Sequence, residues 1–205
     1  PDGPIREALK ARNVTFFPIA SVTPGEIRRA IRQVGPDLVH AHDMKASVAA
    51  AAACGKTPLI SHIHNNGFDS RKISPKTVLF QLASGKIRHI FWVSPSAMTS
   101  YRFYGSVKQK SSVLRNVINP RDLIRKADSA GLQEDYDILF LGRMSEPKNP
   151  LRLVRVLELV QKRYPRLQAA IVGKGDMEEA VREAVQESPA RDHIHMLGYQ
   201  ENAYG

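Results

Sequence analysis

Short apolar runs alternate with longer helical segments along nearly the whole chain, and this alternation limits the possible folds more than any other feature. The runs are rich in β-branched residues and almost continuously hydrophobic, which is typical of strands covered on both faces. The intervals between them are long enough for the crossover helices that parallel strands require. The pattern predicts an α/β protein with doubly wound parallel sheets. The predicted strands are 14–19, 37–41, 58–63, 89–94, 112–116, 137–142, 167–173 and 193–198.

A proline directly after a capping residue marks several expected helix starts. Thr23, Ser94 and Asn149 each precede a proline, and their side chains can accept hydrogen bonds from the free N–H groups of a first helical turn. Pro165 is expected to end the helix predicted over 151–164, because the residue before a proline is pushed out of the helical region.

A change of character between the fifth and sixth predicted strands indicates two domains. Asn119, Pro120 and a charged helical stretch separate five strands from three. We therefore expect two Rossmann-like domains, over residues 1–125 and 126–205. Three strands make a thin sheet, and the chain stops just after a strand. We expect a fragment that lacks the first strand of one domain and the C-terminal part of the other.

The net charge of +10, from 30 basic and 20 acidic residues, suits several kinds of partner. Nucleic acid, anionic lipid and phosphorylated substrates are all attracted to a basic surface. The positive charge is spread along the chain, without a long basic tract or the aromatic interleaving of RNA-binding proteins. We expect no nucleic acid, whereas peripheral contact with an anionic membrane stays open.

The single cysteine and the lack of long apolar runs bear on where the protein works. Cys54 cannot form an internal disulfide, which favours a reducing compartment. It lies among alanines, where a buried thiol acts as a small apolar side chain. No run approaches the roughly 18 apolar residues of a membrane-spanning helix. We expect the protein in the cytoplasm or at the inner face of the membrane.

The loop after the sixth predicted strand brings two cations to the start of a helix. Gly142 ends the strand, Arg143 follows at once, and Lys148 lies close to the next helix start. Ligands of open parallel sheets bind beyond the carboxyl ends of the strands. Two cations beside a helix N-terminus suit a diphosphate. The alternative is a solvated loop that carries two surface cations.

A second loop, after the seventh predicted strand, contains two glycines around one lysine. Gly173 and Gly175 allow a sharp turn and a close approach of the backbone to a ligand, or they simply connect a strand to a helix. The segment is not a Rossmann Gly-x-Gly-x-x-Gly motif, because Glu178 occupies the third glycine position. It is not a Walker A sequence either.

Three His-x-His pairs lie in or at the end of predicted strands. Strand alternation places both members of a pair on one face, and two such pairs on neighbouring strands could hold the metal of a hydrolase. We find no matching carboxylates, so we expect no metal and favour a structural role in which each ring donates to a backbone carbonyl. The pairs are His40 and His42, His62 and His64, and His193 and His195.

His64 differs from the other histidines because a polar loop follows it. Asn65, Asn66 and Gly67 come directly after it in the sequence. A neutral imidazole in such a loop could bond to a sugar hydroxyl or move a proton.

Taken in order, these motifs resemble the retaining, family-four glycosyltransferases with two Rossmann-like domains, the GT-B architecture. The resemblance runs over nearly the whole chain and is strongest at 140–148 and 171–175, which are similar to the family's "GRlxxeKg" and "lvGxGp" motifs. Residues 36–42, 58–64, 91–96 and 113–119 resemble its "PDvvHaH", "PvvxTxH", "i.vVSea" and "vixNGiD" segments.

The resemblance implies a role for each motif. In that family an arginine and a lysine hold the donor's diphosphate, roles that pass here to Arg143 and Lys148. His64 aligns with the family's active-site histidine. The other donor-binding positions that the resemblance implies are Gly142, Gly173, Gly175, Tyr199 and Gln200.

The activity that the resemblance implies is retaining transfer of a hexose from a UDP- or GDP-linked donor to a saccharide or lipid-linked hydroxyl acceptor. Polysaccharide or glycolipid synthesis is the expected setting. The nucleotide sugar is a substrate, so no cofactor is expected. Three alternatives stay open: a nucleotide-sugar epimerase on the same fold, the metal-dependent hydrolase, and a non-catalytic basic module that binds nucleic acid or membrane.

Three departures from the family's pattern affect these expectations. Val117 and Asn119 stand where the family has glycine and aspartate, so the turn between domains must be built differently. The family's first glycine-rich loop would lie before Pro1, and its paired glutamates beyond Gly205. We therefore expect this chain alone to bind donor poorly.

Overall fold

The computed structural model describes residues 5–64, 68–130 and 135–203, and the chain forms two compact units. The first unit extends to Val117 and the second begins at Ile118. The division predicted after residue 125 falls inside the helix Pro120–Ala130. The second unit begins before this helix, so the whole helix lies in the second unit.

The first unit contains a four-stranded parallel sheet in which consecutive strands are neighbours, in the order β1-β2-β3-β4. Its strands are β1 Val39–His42, β2 Leu59–Ile63, β3 Ile87–Trp92 and β4 Ser111–Val113. Its helices are α1 Ile5–Lys10, α2 Pro24–Val34, α3 Asp43–Ala53, α4 Pro75–Ser84, α5 Pro95–Thr99 and α6 Tyr104–Val107, with 3-10 turns at Phe68–Arg71 and Lys108–Lys110.

The second unit repeats this design on a smaller scale, with a three-stranded parallel sheet in the order β5-β6-β7. Its strands are β5 Ile138–Leu141, β6 Ala169–Val172 and β7 Ile194–Gly198. Its helices are α7 Pro120–Ala130, α8 Pro150–Arg163 and α9 Glu178–Glu187, with 3-10 turns at Glu146–Lys148 and Arg191–His193. The predicted α/β class with parallel sheets is confirmed in both units.

The strand predicted over 14–19 is wrong, whereas the seven others are present with shifted ends. A strand exists only where its backbone groups pair with a neighbouring strand, and apolar sequence alone does not supply that neighbour. The Val14 N–H instead donates to the Leu9 carbonyl at 2.9 Å. Residues 14–19 therefore form an irregular connection between α1 and α2.

The predicted helix signals are mostly confirmed. Thr23 Oγ1 accepts from the Glu26 N–H at the start of α2, and Ser94 Oγ accepts from the Ala97 N–H at the start of α5. Helix α8 ends at Arg163, ahead of Pro165. Asn149 is the exception, because its side chain makes no capping bond and its backbone is left-handed, with φ 49°.

Each unit has its own hydrophobic core between sheet and helices. Phe80, Trp92 and Tyr101 are fully buried in the first, and Leu157 and Ile171 in the second. Burial of a large apolar side chain contributes about 1.5–3 kcal/mol. These cores hold the strands in place and so fix where the carboxyl ends emerge.

Composition led to two expectations, one for the burial of Cys54 and one for membrane-spanning helices. Cys54 is buried, as predicted for a thiol among alanines. Among the helices of residues 5–64, 68–130 and 135–203, none combines the length and the apolar content needed to cross a bilayer.

Candidate functional site

Three loops meet at the carboxyl edge of the second sheet through backbone hydrogen bonds. The Gly142 N–H donates to the Val172 carbonyl at 3.0 Å, and the Met144 N–H donates to the Lys174 carbonyl at 3.1 Å. The Gly173 N–H donates to the Gly198 carbonyl at 2.8 Å. The ends of β5, β6 and β7 are thus joined into one surface.

Gly173 and Gly175 are required by this contact between loops. A Cβ on Gly173 would lie 1.9 Å from the Gly142 carbonyl oxygen, and the Gly173 φ of 137° is rare for residues with a side chain. A Cβ on Gly175 would lie 2.2 Å from the Met144 carbonyl oxygen. The predicted close approach is present, but the partner is backbone of the neighbouring loop. A role of either glycine toward a ligand stays a prediction.

The joined loops form a concave surface that encloses a volume of about 420 Å³. Five residues of the predicted site line it, whereas Lys148 and Gly175 are not among its lining residues. Lys148 ends the 3-10 turn Glu146–Lys148 and is exposed. The lining residues are Leu141, Gly142, Arg143, Val172, Gly173, Lys174, Tyr199 and Gln200.

Lys174 is a member of this surface that the sequence-based site omitted. Its ammonium lies 5.0 Å from the centre of the Tyr199 ring, a cation–π arrangement. Arg143 and Lys174 are both exposed, so their charges are available to an anion. Lys174 lies between two glycines, in a loop already predicted to approach a ligand. That position was the sequence signal that could have identified Lys174 as part of the site.

Four histidines meet at the carboxyl edge of the first sheet. Strands β1 and β2 are parallel neighbours, with His42 opposite His62. The ring centres of His62 and His64 lie 4.0 Å apart, and those of His40 and His42 lie 4.4 Å apart. His42 Nδ1 and His64 Nε2 share a hydrogen bond of 2.7 Å.

Two further bonds fix this cluster of His40, His42, His62 and His64. The buried His62 ring donates from Nε2 to the Leu114 carbonyl at 3.1 Å, which is the structural role predicted for these pairs. The His64 N–H donates to the Asp43 carboxylate at 3.0 Å. The loop 65–67 that follows His64, with Asn65, Asn66 and Gly67, lies outside the described residues.

Two imidazoles of the cluster, those of His40 and His42, favour the neutral form. Desolvation of the packed rings, followed by the repulsion of neighbouring histidines, lowers the pKa of His40 below 6.5. Desolvation also lowers the pKa of His42, with His64 as the next cause. A neutral ring keeps one lone pair that can accept a hydrogen bond or bind a metal.

The third histidine pair belongs to the second unit and is bound by one amide side chain. The Gln168 amide group donates to His193 Nδ1 at 2.8 Å, and its oxygen accepts from His195 Nε2 at 2.7 Å. The role is structural, as predicted, but the partner is a side-chain amide where a backbone carbonyl was expected.

Two family models together match almost the whole chain. Residues 4–122 match the model described as Glycosyltransferase Family 4, and residues 124–204 match the model described as Glycosyl transferases group 1. The chain is 24% identical to the uncharacterized glycosyltransferase MJ1059 of Methanocaldococcus jannaschii, in an alignment that covers 95% of this chain and 53% of that protein.

Solved structures share the fold. The Anabaena protein Alr3699/HepE, crystallised with UDP-glucose, superimposes with a TM-score of 0.74 at 18% identity, covering 100% of this chain and 61% of that one. UDP-N-acetylglucosamine 2-epimerase from Rickettsia bellii gives a TM-score of 0.54 at 16% identity, covering 88% of this chain and 51% of that one. The chain thus spans between half and two thirds of the length of these proteins.

Proposed function

The chain belongs to the Glycosyltransferase Family 4 and group 1 type of enzyme with the GT-B fold, and we propose that the whole protein transfers a hexose from a nucleotide-diphosphate donor to a hydroxyl acceptor with retention. One observation carries this proposal. The concave surface of the second unit places two exposed cations and an aromatic ring beside two aliphatic side chains, those of Leu141 and Val172.

The donor's diphosphate binds to Arg143, with Lys174 beside it. Both phosphates carry charge, and a guanidinium can bind phosphate oxygens through two parallel hydrogen bonds. Lys148, which follows Arg143 in the same loop, supplies a further cation near the start of α8. The nucleotide base contacts Tyr199, a residue that is 65% exposed, because a flat base can pack against an aromatic ring.

These cations act on the leaving group. When the bond between sugar and diphosphate breaks, negative charge builds up on the diphosphate, and fixed positive groups stabilise that charge most. The proposal needs no cofactor, since the nucleotide sugar is the activated substrate and side-chain cations stabilise the leaving group.

His64 orients the sugar or the acceptor hydroxyl. Its Nε2 is shared with His42, and its backbone is fixed by Asp43. One hydrogen bond to the ring and one to the backbone limit the orientations of this imidazole. Groups that are already positioned lower a barrier because they need not be ordered during the reaction. This role rests on the resemblance to the family and on the rigid setting.

The test is donor binding and sugar transfer by the full-length parent protein before and after Arg143→Ala. We expect transfer to fall on the order of 100-fold, the typical effect of removing one charge-stabilising contact, and affinity for UDP or GDP to fall with it. The matched control is Arg163→Ala, which removes an exposed arginine near Asp137, at the other end of the sheet. Equal nucleotide affinity in the two variants would contradict the proposal.

The acceptor is lipid-linked or a saccharide, and the enzyme works in the cytoplasm or at the inner face of the membrane. Support for a membrane comes from α2, where Arg28, Arg29 and Arg32 line one concave surface of about 380 Å³. Binding to anionic vesicles should exceed binding to neutral vesicles and decrease as salt is added. Equal binding to both would remove the membrane from the proposal.

A nucleotide-sugar epimerase is the second candidate, because the Rickettsia bellii epimerase shares the fold. Incubation of the full-length protein with a UDP-sugar and no acceptor separates the two candidates. A new stereoisomer of the intact UDP-sugar would identify an epimerase. Transfer that depends on an added acceptor would identify a glycosyltransferase.

A further inference from the structure

Three imidazoles at the carboxyl edge of the first sheet lie close enough to share one ion. One ring nitrogen from each of His40, His42 and His62 lies within 4.8 Å of the other two. Nitrogen ligands about 2.0–2.1 Å from a zinc ion lie about 3.3–3.5 Å from each other. Small rotations of the rings would therefore bring the three nitrogens to a common metal.

The positions of these three histidines are fixed by the two neighbouring strands that carry them. His40 and His42 are exposed on one face of β1, while Ala41 between them is buried on the other. His62 projects from the adjacent position on β2. Three ligands on two hydrogen-bonded strands keep their spacing, so binding a metal requires side-chain adjustment without refolding.

The hydrogen bonds around the cluster prepare the rings as ligands. Because His62 donates from Nε2 to the Leu114 carbonyl, its lone pair lies on Nδ1. A metal-binding histidine almost always donates its other nitrogen in this way.

We propose that His40, His42 and His62 form a binding site for one divalent late transition metal of the Zn²⁺ type, with the fourth position open. Imidazole nitrogens suit zinc, cobalt, nickel and copper, whereas calcium and magnesium prefer oxygen ligands. The sequence-based expectation of no metal rested on missing carboxylates, but three imidazoles and one open position are a complete zinc set. This metal site does not rest on the proposed sugar transfer; only its effect on His64 does.

Occupancy of this site also acts on His64. His42 shares a hydrogen bond with His64, and a metal bound to His42 withdraws electrons from its ring and moves it toward the ion. The length and strength of the hydrogen bond between His42 and His64 then change. Metal binding therefore alters the position of the residue to which we assign contact with the sugar.

The test is metal binding by the full chain after chelator treatment and dialysis, measured by calorimetry with Zn²⁺ and by visible absorption with Co²⁺. We expect one equivalent of Zn²⁺ and the intense absorption of four-coordinate Co²⁺. His40→Ala should weaken Zn²⁺ binding on the order of 100-fold, at least the effect of losing a ligand's supporting partner. Because His40 is exposed, this variant should keep its fold, which circular dichroism verifies.

Two further variants complete the test. His193→Ala removes a histidine of identical His-x-His spacing from the second unit and should leave Zn²⁺ binding unchanged. His64→Gln should retain the bound equivalent, because His64 is outside the ligand set. The proposal is overturned by absence of stoichiometric binding, by unchanged binding in His40→Ala, or by equal losses in His40→Ala and His193→Ala.

Discussion

The carboxyl edges of the two sheets hold their polar groups in different ways. In the first unit, imidazoles on β1 and β2 contact each other directly, and His42 is bonded to His64. In the second unit the contacts are between backbones, and the cations Arg143 and Lys174 remain exposed. An edge joined by side chains fixes its polar side chains, whereas an edge joined by backbone leaves its side chains exposed.

The largest expected effect tests the backbone contacts of the second unit. Gly173→Ala places a methyl group against the Gly142 carbonyl and forces alanine into an unfavourable backbone conformation. The free energy of unfolding should fall by about 3 kcal/mol or more. Chemical denaturation followed by circular dichroism measures this change.

The control for this variant is a glycine without neighbours. Gly25→Ala adds a Cβ with nothing within 4 Å at the start of α2. It should be neutral or stabilising by up to about 1 kcal/mol. Similar stabilities of the two variants would show that backbone contact does not hold the second edge together.

An intermediate effect is expected where a side chain joins parts of the second unit. Gln168→Ala removes the bonds to His193 and His195, which should lower the free energy of unfolding by about 1–2 kcal/mol. Gln161→Ala is the control, because that amide is exposed and its bond to Pro165 is long, at 3.5 Å. Equal thermal midpoints for the two variants would refute a structural role for this histidine pair.

The smallest effect on stability, below about 1 kcal/mol, is expected for His42→Ala in the first unit. Activity should respond instead: kcat for sugar transfer should fall about 10-fold with little change in donor KM, because His64 loses its orienting partner. His89→Ala is the control, since His89 lies on β3 and is bonded to Ser112 on β4 rather than to His64. A fall in kcat that is the same for both variants would remove His42 from the positioning role.

The strand–helix order could be predicted because it is a local property. Apolar runs mark β2 and β6 whatever they pair with, and Thr23 and Ser94 cap the helices that directly follow them. The segment 14–19 shows the limit of this reasoning. It has the composition of a strand, but pairing depends on a neighbour that composition does not identify.

The candidate site could be predicted in only part of its members, and not in their contacts. Arg143 lines the concave surface as its place after a strand suggests, whereas Lys148 is carried off it by a 3-10 turn. The contact between His42 and His64 depends on β1 and β2 being neighbours. The glycine spacing predicted a close approach to a ligand, and that stays a prediction. The contact present is with the backbone of another loop, which depends on tertiary packing.

The hydrogen bonds between loops determine how the carboxyl edge of the second sheet can open. The N–H groups of Gly142, Met144 and Gly173 each donate across to a neighbouring strand or loop. Each of these amide protons exchanges with solvent only after its own hydrogen bond breaks, so hydrogen exchange at these three positions reports how the strand ends separate. Under the proposed function, a nucleotide that binds the closed edge would slow the exchange of these three amide protons.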